Sequence, residues 1–392
     1  MKGEPRVVTA DPTSPVVTTE AADAPGSRGG TALCLSGGGY RAMVFHLGAV
    51  WRLNELGFLL KLDRVSSVSG GSITAATLGS RWSRLDFDAR GVARGFESEV
   101  VTPVRSLAGR TIDAGAIVLG ALGPGSIGDR IADAYRRHLF GGATLQDLPE
   151  ARAGVAPRFV INASNVQSGA LWRFMRHAMR DYRVGSVPRP RLELAVAVAA
   201  SSAFPPLLSP VRLELRASDY DPPTSEDLHR EPFTTKVALT DGGVYDNLGL
   251  ETAWKRCQTI LVSDGGGKMQ AEAEPKGDWA RHSLRVNELI DNQVRSLRKR
   301  QLLASFRNGA REGTYWGIRS DVRDYALPDA LDCPIERTTE LANLKTRLKR
   351  LEPRTQERLI NWGYAVCDAA MRRHVAPAPM QKPAFPYPDV GV

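Results

Sequence analysis

The chain has 392 residues, 42% of them hydrophobic and 24% charged, a soluble globular composition that can bury a large core as one big domain or two of ordinary size. Its formal charge of +9 is a moderate basic excess, without the charge block of a nucleic-acid binder; it suits an anionic surface such as phospholipid, or simply reflects arginine-rich composition. The four cysteines, Cys34, Cys257, Cys333 and Cys367, form no CxxC pair, which argues against a disulfide framework or a zinc site and suits a reducing compartment.

Residues 1–30 are rich in Pro, Thr, Ala and Gly and read as a disordered tail without the apolar core of a signal peptide. "TALCLSGGG" then predicts a buried strand ending in three glycines, Gly37 to Gly39, before a helix near Tyr40. Glycines at a strand-to-helix corner let a ligand approach the backbone, and the helix start offers unpaired N–H groups. That outlines an anion or oxyanion site, to which Arg41 could add charge; it equally suits a phosphate site or a tight turn.

"RVSSVSGGSITAATLG" predicts a second strand, a corner at Ser69 and a second helix. Ser67 to Gly71 match G-x-S-x-G except that Ser67 stands at the first glycine. Such a corner lifts the Ser69 hydroxyl out of the sheet above a helix N-terminus, where a nucleophile would sit; Ser69 could instead cap the helix. "AGAIVLGALGPG" (Ala114–Gly125) is too short to span a bilayer and reads as a buried helix, with a membrane-touching flap as the alternative.

Further apolar runs end in small or acidic residues: "RFVINASN", "VALTDGG" and "TILVSDGGG". Alternation of such strands with helices predicts a three-layer α/β fold with a mostly parallel central sheet, and ligands then bind at the strands' carboxyl ends. Asp241, before Gly242 and Gly243, could receive a proton, bind a metal or start a turn; Asp264 sits in a similar corner.

The last third predicts extra C-terminal helices, over about 276–374. In the first of them Leu284, Leu289, Ile290, Val294 and Leu297 share a face expected to pack on the sheet. Arg281, Arg285, Arg295, Arg298, Lys299 and Arg300 decorate the other faces, as a solvated surface or a headgroup contact. The Pro-rich end, 375–392, is expected to be disordered.

No histidine falls in the three corners. His46 lies inside the first helix and His282 on the basic helix, while His138, His177, His229 and His374 are isolated. The set in this order, "SGGGYR", "SVSGG" and "DGG", resembles the patatin-like phospholipases, whose pattern is a Gly-rich loop with an arginine, then G-x-S-x-G, then D-G-[GA]. "AVAASSAFPPLLSP" and "NASNVQSGALWRF" are similar to family segments, and the later helices to those of bacterial members. The family often carries Asp and Gly where this chain has Ser36 and Ala42.

The resemblance implies a Ser–Asp dyad, with Ser69 as nucleophile, Asp241 as base, and Gly37, Gly38, Gly39 and Arg41 around the oxyanion. It implies a lipid acyl hydrolase of phospholipase A type, acting through an acyl-enzyme on phospholipid or another acyl lipid, with no metal or cofactor in its scheme. A cytoplasmic protein with transient peripheral membrane contact and no nucleic-acid partner is expected. Two other readings remain: an α/β-hydrolase-type triad of Ser69, Asp241 or Asp264, and His282, and a non-catalytic anion- or membrane-binding module.

Overall fold

The computed structural model describes residues 29–112, 127–345, 347–376 and 382–392. Nearly all of the N-terminal tail and the Ala114–Gly125 segment lie outside them.

Three of the expected strands are β1 (Thr31–Leu35), β2 (Arg64–Val68) and β3 (Arg158–Asn165). They pair in parallel, and β9 (Thr259–Asp264) and β10 (Glu312–Gly317) extend the parallel sheet beyond β1. Beyond β3 the sheet turns antiparallel through β4 (Ala170–Phe174), β5 (Ala178–Asp181) and β6 (Gly185–Pro188). β8 (Lys236–Asp241) runs antiparallel to β3, with β7 (Val211–Glu214) on its outer edge. The parallel half matches the sequence expectation. The antiparallel extension follows from short polar connections, such as the one between Asn165 and Ala170, which cannot hold the crossover that a parallel neighbour needs.

Successive residues of a strand face opposite sides of the sheet. In β1, Leu33 and Leu35 join one apolar core while Ala32 and Cys34 join another. The first core is covered by α1 (Gly39–Glu55), α2 (Gly70–Ser80), α3 (Thr102–Ala108), α4 (Ile127–Tyr135) and α5 (Leu194–Ser201). The second lies under α6 (Gly243–Asp246), α7 (Glu251–Trp254) and the end of α8 (Trp279–Arg307), where Leu302 and Phe306 pack. The α/β layering is therefore the expected one.

α9 (Ile335–Asn343) and α10 (Pro353–His374) complete the first layer. α1 and α10 cross closely at Gly48 and Gly363, and buried Arg52 of α1 reaches Asp368 of α10 at 2.8 Å.

Two expectations are corrected. Residues 382–392 are docked rather than free: Asn361 Nδ2 donates to the carbonyls of Tyr387 and Gly391 at 2.8 and 2.7 Å, and Val392 is buried. α8 also has its faces the other way round. Leu284, Leu289, Ile290 and Leu297 are exposed, as are Trp279 and Val286. Arg295, Arg298 and Lys299 take the inner side, because acidic and carbonyl groups wait there: Arg298 lies 3.1 Å from Glu251 and Lys299 3.4 Å from Asp264, while Arg295 donates to the Gly267 carbonyl.

Candidate active site

β2 ends at Val68, and the chain turns at Ser69 into α2. Ser69 adopts φ 51 and ψ −120, a conformation that non-glycine residues rarely hold. Its side chain makes no cap bond to the helix, so the capping alternative is not the one realised. The elbow is tight: a Cβ on Gly70 would collide with the Gly39 carbonyl oxygen, so only glycine lets the two corners meet.

Asp241 closes β8 and is 2% exposed. Its Oδ1 accepts the Gly243 N–H at 2.7 Å, and the Ser69 side chain lies close enough to the carboxyl to act on it. Burial pushes this carboxyl up to about 7; the Gly243 N–H and the Ser69 side chain pull the other way, and Asp291 of α8 adds to the rise. The histidines stand elsewhere. His46 is buried, with Nδ1 2.8 Å from Ser263 Oγ and Nε2 2.9 Å from the Ser36 carbonyl, and burial drives it down to about 4. His282 is exposed on α8. Among the described residues no histidine ring bonds to Ser69 or Asp241, which removes the support for a triad through His282.

The glycine loop lies against the elbow, since a Cβ on Gly37 would come within 3.2 Å of Ser69 Cβ. Its members divide. The Gly37 N–H is taken by the Asn247 carbonyl at 3.0 Å. Gly38 and Gly39 hold φ 144 and 61, and among the described residues no acceptor meets their N–H groups or that of Gly70. Arg41 is corrected. Nη2 and Nε donate to the Gly265 carbonyl at 2.9 and 3.3 Å, and Nη1 donates to Ala342 and Leu344, so this buried guanidinium ties the loop to its neighbours. Burial and the nearby Arg319 lower it to about 10.

Asp264 serves a different task. Burial alone would raise it, but Lys299, Arg295, the Tyr315 hydroxyl and the Gly266 N–H bring it down to about 2. It is a fixed anion that anchors α8. Among the described residues no cluster of His, Cys, Asp and Glu could hold a metal ion.

The departures from the expected motifs have partners. Ser67 Oγ accepts from Ser72 Oγ at 3.0 Å, and Ser72 Oγ meets Ser201 Oγ at 2.9 Å. Ser201 Oγ in turn accepts the Ser69 N–H at 3.0 Å. Ser36 Oγ accepts the Gly265 N–H at 2.9 Å. Two asparagines escape the sequence reading. Asn162 donates to Ser66 Oγ and to the Ser67 carbonyl at 3.0 and 2.9 Å, bracing the strand under the elbow. Asn247 stands among Gly37, Gly243 and Gly266. The polar ends of "RFVIN" and "DGGVYDN", each beside a motif, were the available signals.

A family model described as patatin-like phospholipase matches residues 33–254. Among solved structures, human GIVD cytosolic phospholipase A2 in complex with methyl gamma-linolenyl fluorophosphonate superposes with a TM-score of 0.51 at 14% identity, covering 88% of this chain and 58% of that one. VipD from Legionella pneumophila aligns at 16% identity over 89% of this chain and 67% of its own, with a TM-score of 0.35. No curated protein matches the chain by sequence. The chain thus spans less than two thirds of the human protein's length, and at such identity the likeness speaks for the fold alone. A family match across more than half of the chain makes this protein a member of the patatin-like phospholipase family.

Proposed function

We propose that the protein is a serine lipid acyl hydrolase of phospholipase A type, with Ser69 as nucleophile and Asp241 as its only proton acceptor. The observation that carries this reading is the placing of the Ser69 side chain beside the buried Asp241 carboxyl at a strained strand-to-helix corner, where two strands end on neighbouring positions of β3. Family membership supports the substrate class.

Ser69 Oγ attacks the acyl carbonyl carbon as Asp241 takes its proton. A carboxyl raised to about 7 is a far better base near neutrality than an ordinary aspartate. The carbonyl electron pair moves onto oxygen, and the free N–H groups of Gly38, Gly39 and Gly70 receive the oxyanion. The tetrahedral adduct collapses, the ester C–O bond breaks, and Asp241 returns the proton to the departing alcohol. Water then adds to the acyl-enzyme, giving a proton to Asp241, and collapse of that adduct returns it to Ser69 Oγ. A fatty acid and a lysolipid leave.

α8 is the membrane contact in this reading. Trp279, Val286, Ile290 and Leu297 are spaced seven, four and seven residues apart, so they fall within about 20° of one line on a helix of about 3.6 residues per turn. The stripe faces solvent opposite Leu302, with the exposed Arg300 about 60° to one side of it. An exposed apolar stripe with a cation at its edge matches an anionic lipid–water interface, and α8 reaches the catalytic end through Lys299 on Asp264. The occupant is thus a phospholipid surface.

The test is mass spectrometry of a mixed phospholipid extract after incubation with the wild type and with Ser69→Ala. Free fatty acid and lysolipid should appear only with the wild type. An unchanged extract, under conditions where a soluble ester is hydrolysed, would overturn the substrate assignment.

A further inference from the structure

The end of the sheet away from Ser69 holds a second polar site. Arg64 opens β2 and Arg158 opens β3; the two are register partners, so their side chains leave the same face. Here a cavity of about 340 Å³ is lined by four arginines, Arg64, Arg152, Arg158 and Arg256, against the single carboxylate of Asp63, with Cys257 beside them. β2 separates this cavity from Ser69 by five residues, about 17 Å of strand.

Among the described residues Asp63 is the one acidic residue of the lining. Asp63 Oδ2 is occupied by the Thr31 N–H at 2.7 Å. Arg64 is 8% exposed, and its side-chain partner is the Cys257 sulfur, a weak acceptor. Among the described residues no carboxylate forms an ion pair with Arg64, Arg152 or Arg158. Burial, then the like charges of Arg158 and Arg256, lower Arg64 to about 10, and Arg158 is lowered by burial and by Arg256. His177 is lowered by burial and by the same group of arginines. A buried cation without a counter-ion destabilises a fold. A ligand with two or more negative charges removes that cost, and guanidinium forks match phosphate oxygens.

We propose that this cavity is a binding site for a soluble phosphate-bearing small molecule, held by Arg64 and Arg158 at its floor and by Arg152 and Arg256 at its rim. The volume suits a pyrophosphate or a mononucleotide rather than a macromolecule. The site is separate from the Ser69 centre, so it does not depend on the hydrolase reading.

The experiment is calorimetric titration with inorganic pyrophosphate at ionic strength held constant with sodium chloride, with melting curves in parallel. The wild type should bind saturably at one site and melt higher as ligand is added. The Arg152→Ala and Arg158→Gln variants should each bind about tenfold or more weakly, as loss of a charged hydrogen bond implies. Arg64→Met should lose the response; if it fails to fold, the doubly substituted R152A R158Q protein carries the test. Binding by that double variant equal to the wild type's, or no wild-type response beyond that of chloride, would overturn the proposal. So would arginine-dependent binding to phosphatidic acid vesicles with none to pyrophosphate, which would make the ligand a lipid headgroup.

Discussion

Ser69 and Asp241 meet because they follow neighbouring positions on one edge of β3. Val68 is the register partner of Asn162, and Asp241 that of Ala163. β4 occupies the other edge of β3, so β8 arrives antiparallel where β2 stops. A parallel strand and an antiparallel one therefore end face to face, and the serine and the carboxylate at their ends lie close together.

This arrangement predicts how single substitutions divide. Asp241→Asn should lower hydrolysis of a soluble nitrophenyl ester by about a thousandfold or more, since the pair works as a unit. His282→Ala and an exposed control such as Arg300→Ala should stay within about twofold of the wild type. Initial rates on proteins with matched melting temperatures decide it.

The raised Asp241 carboxyl links activity and stability to pH. Only its ionised form accepts a proton, so kcat/KM for a soluble ester should rise with pH around a midpoint near 7. Stability runs the other way. A carboxyl raised on folding contributes stability fully below its unfolded value, about 4, and loses it as pH rises through about 7. Asp241→Asn should therefore melt higher than the wild type at pH 8, with the gap closing toward pH 4.

At the glycine loop, Gly38→Ala should harm both folding and turnover. The residue holds φ 144, and a Cβ would stand 2.7 Å from the Gly265 carbonyl oxygen. Strain of this kind costs about 1–3 kcal/mol, and relief by moving the loop would displace its free N–H groups. Melting temperature and the rate per folded molecule should fall together.

For α8, the reversed faces change which substitutions test membrane contact. Trp279→Glu with Ile290→Glu, both on exposed positions, should abolish sedimentation with anionic vesicles and leave soluble-ester hydrolysis intact. Arg298→Glu should instead lower the melting temperature, because its partners are Glu251 and the buried Asp246. Vesicle binding unchanged by the glutamates, or a dimer that they dissolve, would assign the stripe to something other than lipid.

Much of this was legible in the sequence. The parallel strands are buried on both faces, so they read as short apolar runs, and Ser69 and Asp241, the proposed dyad, sit where such runs stop. The rest depends on contacts between distant segments. Amphipathicity says that the faces of α8 differ; Asp264, Glu251 and Asp246, up to about fifty residues away, decide which one turns inward. β10, "EGTYWG", carries two glycines amid helical sequence and gains its identity only beside β9. Asn162 and Asn247 matter through the loops that cross them. The Pro-rich end has no periodicity, and its docking depends on distant partners such as Asn361 and Arg105.

The most direct test of the Ser–Asp pairing is covalent labelling with a fluorophosphonate, followed by peptide mapping. The label should fall on Ser69 in the wild type, slow by about a thousandfold in Asp241→Asn, and proceed normally when His46, His177 or His282 is replaced in a folded variant. Labelling of another residue, or of Ser69 at full rate without the Asp241 carboxylate, would contradict it.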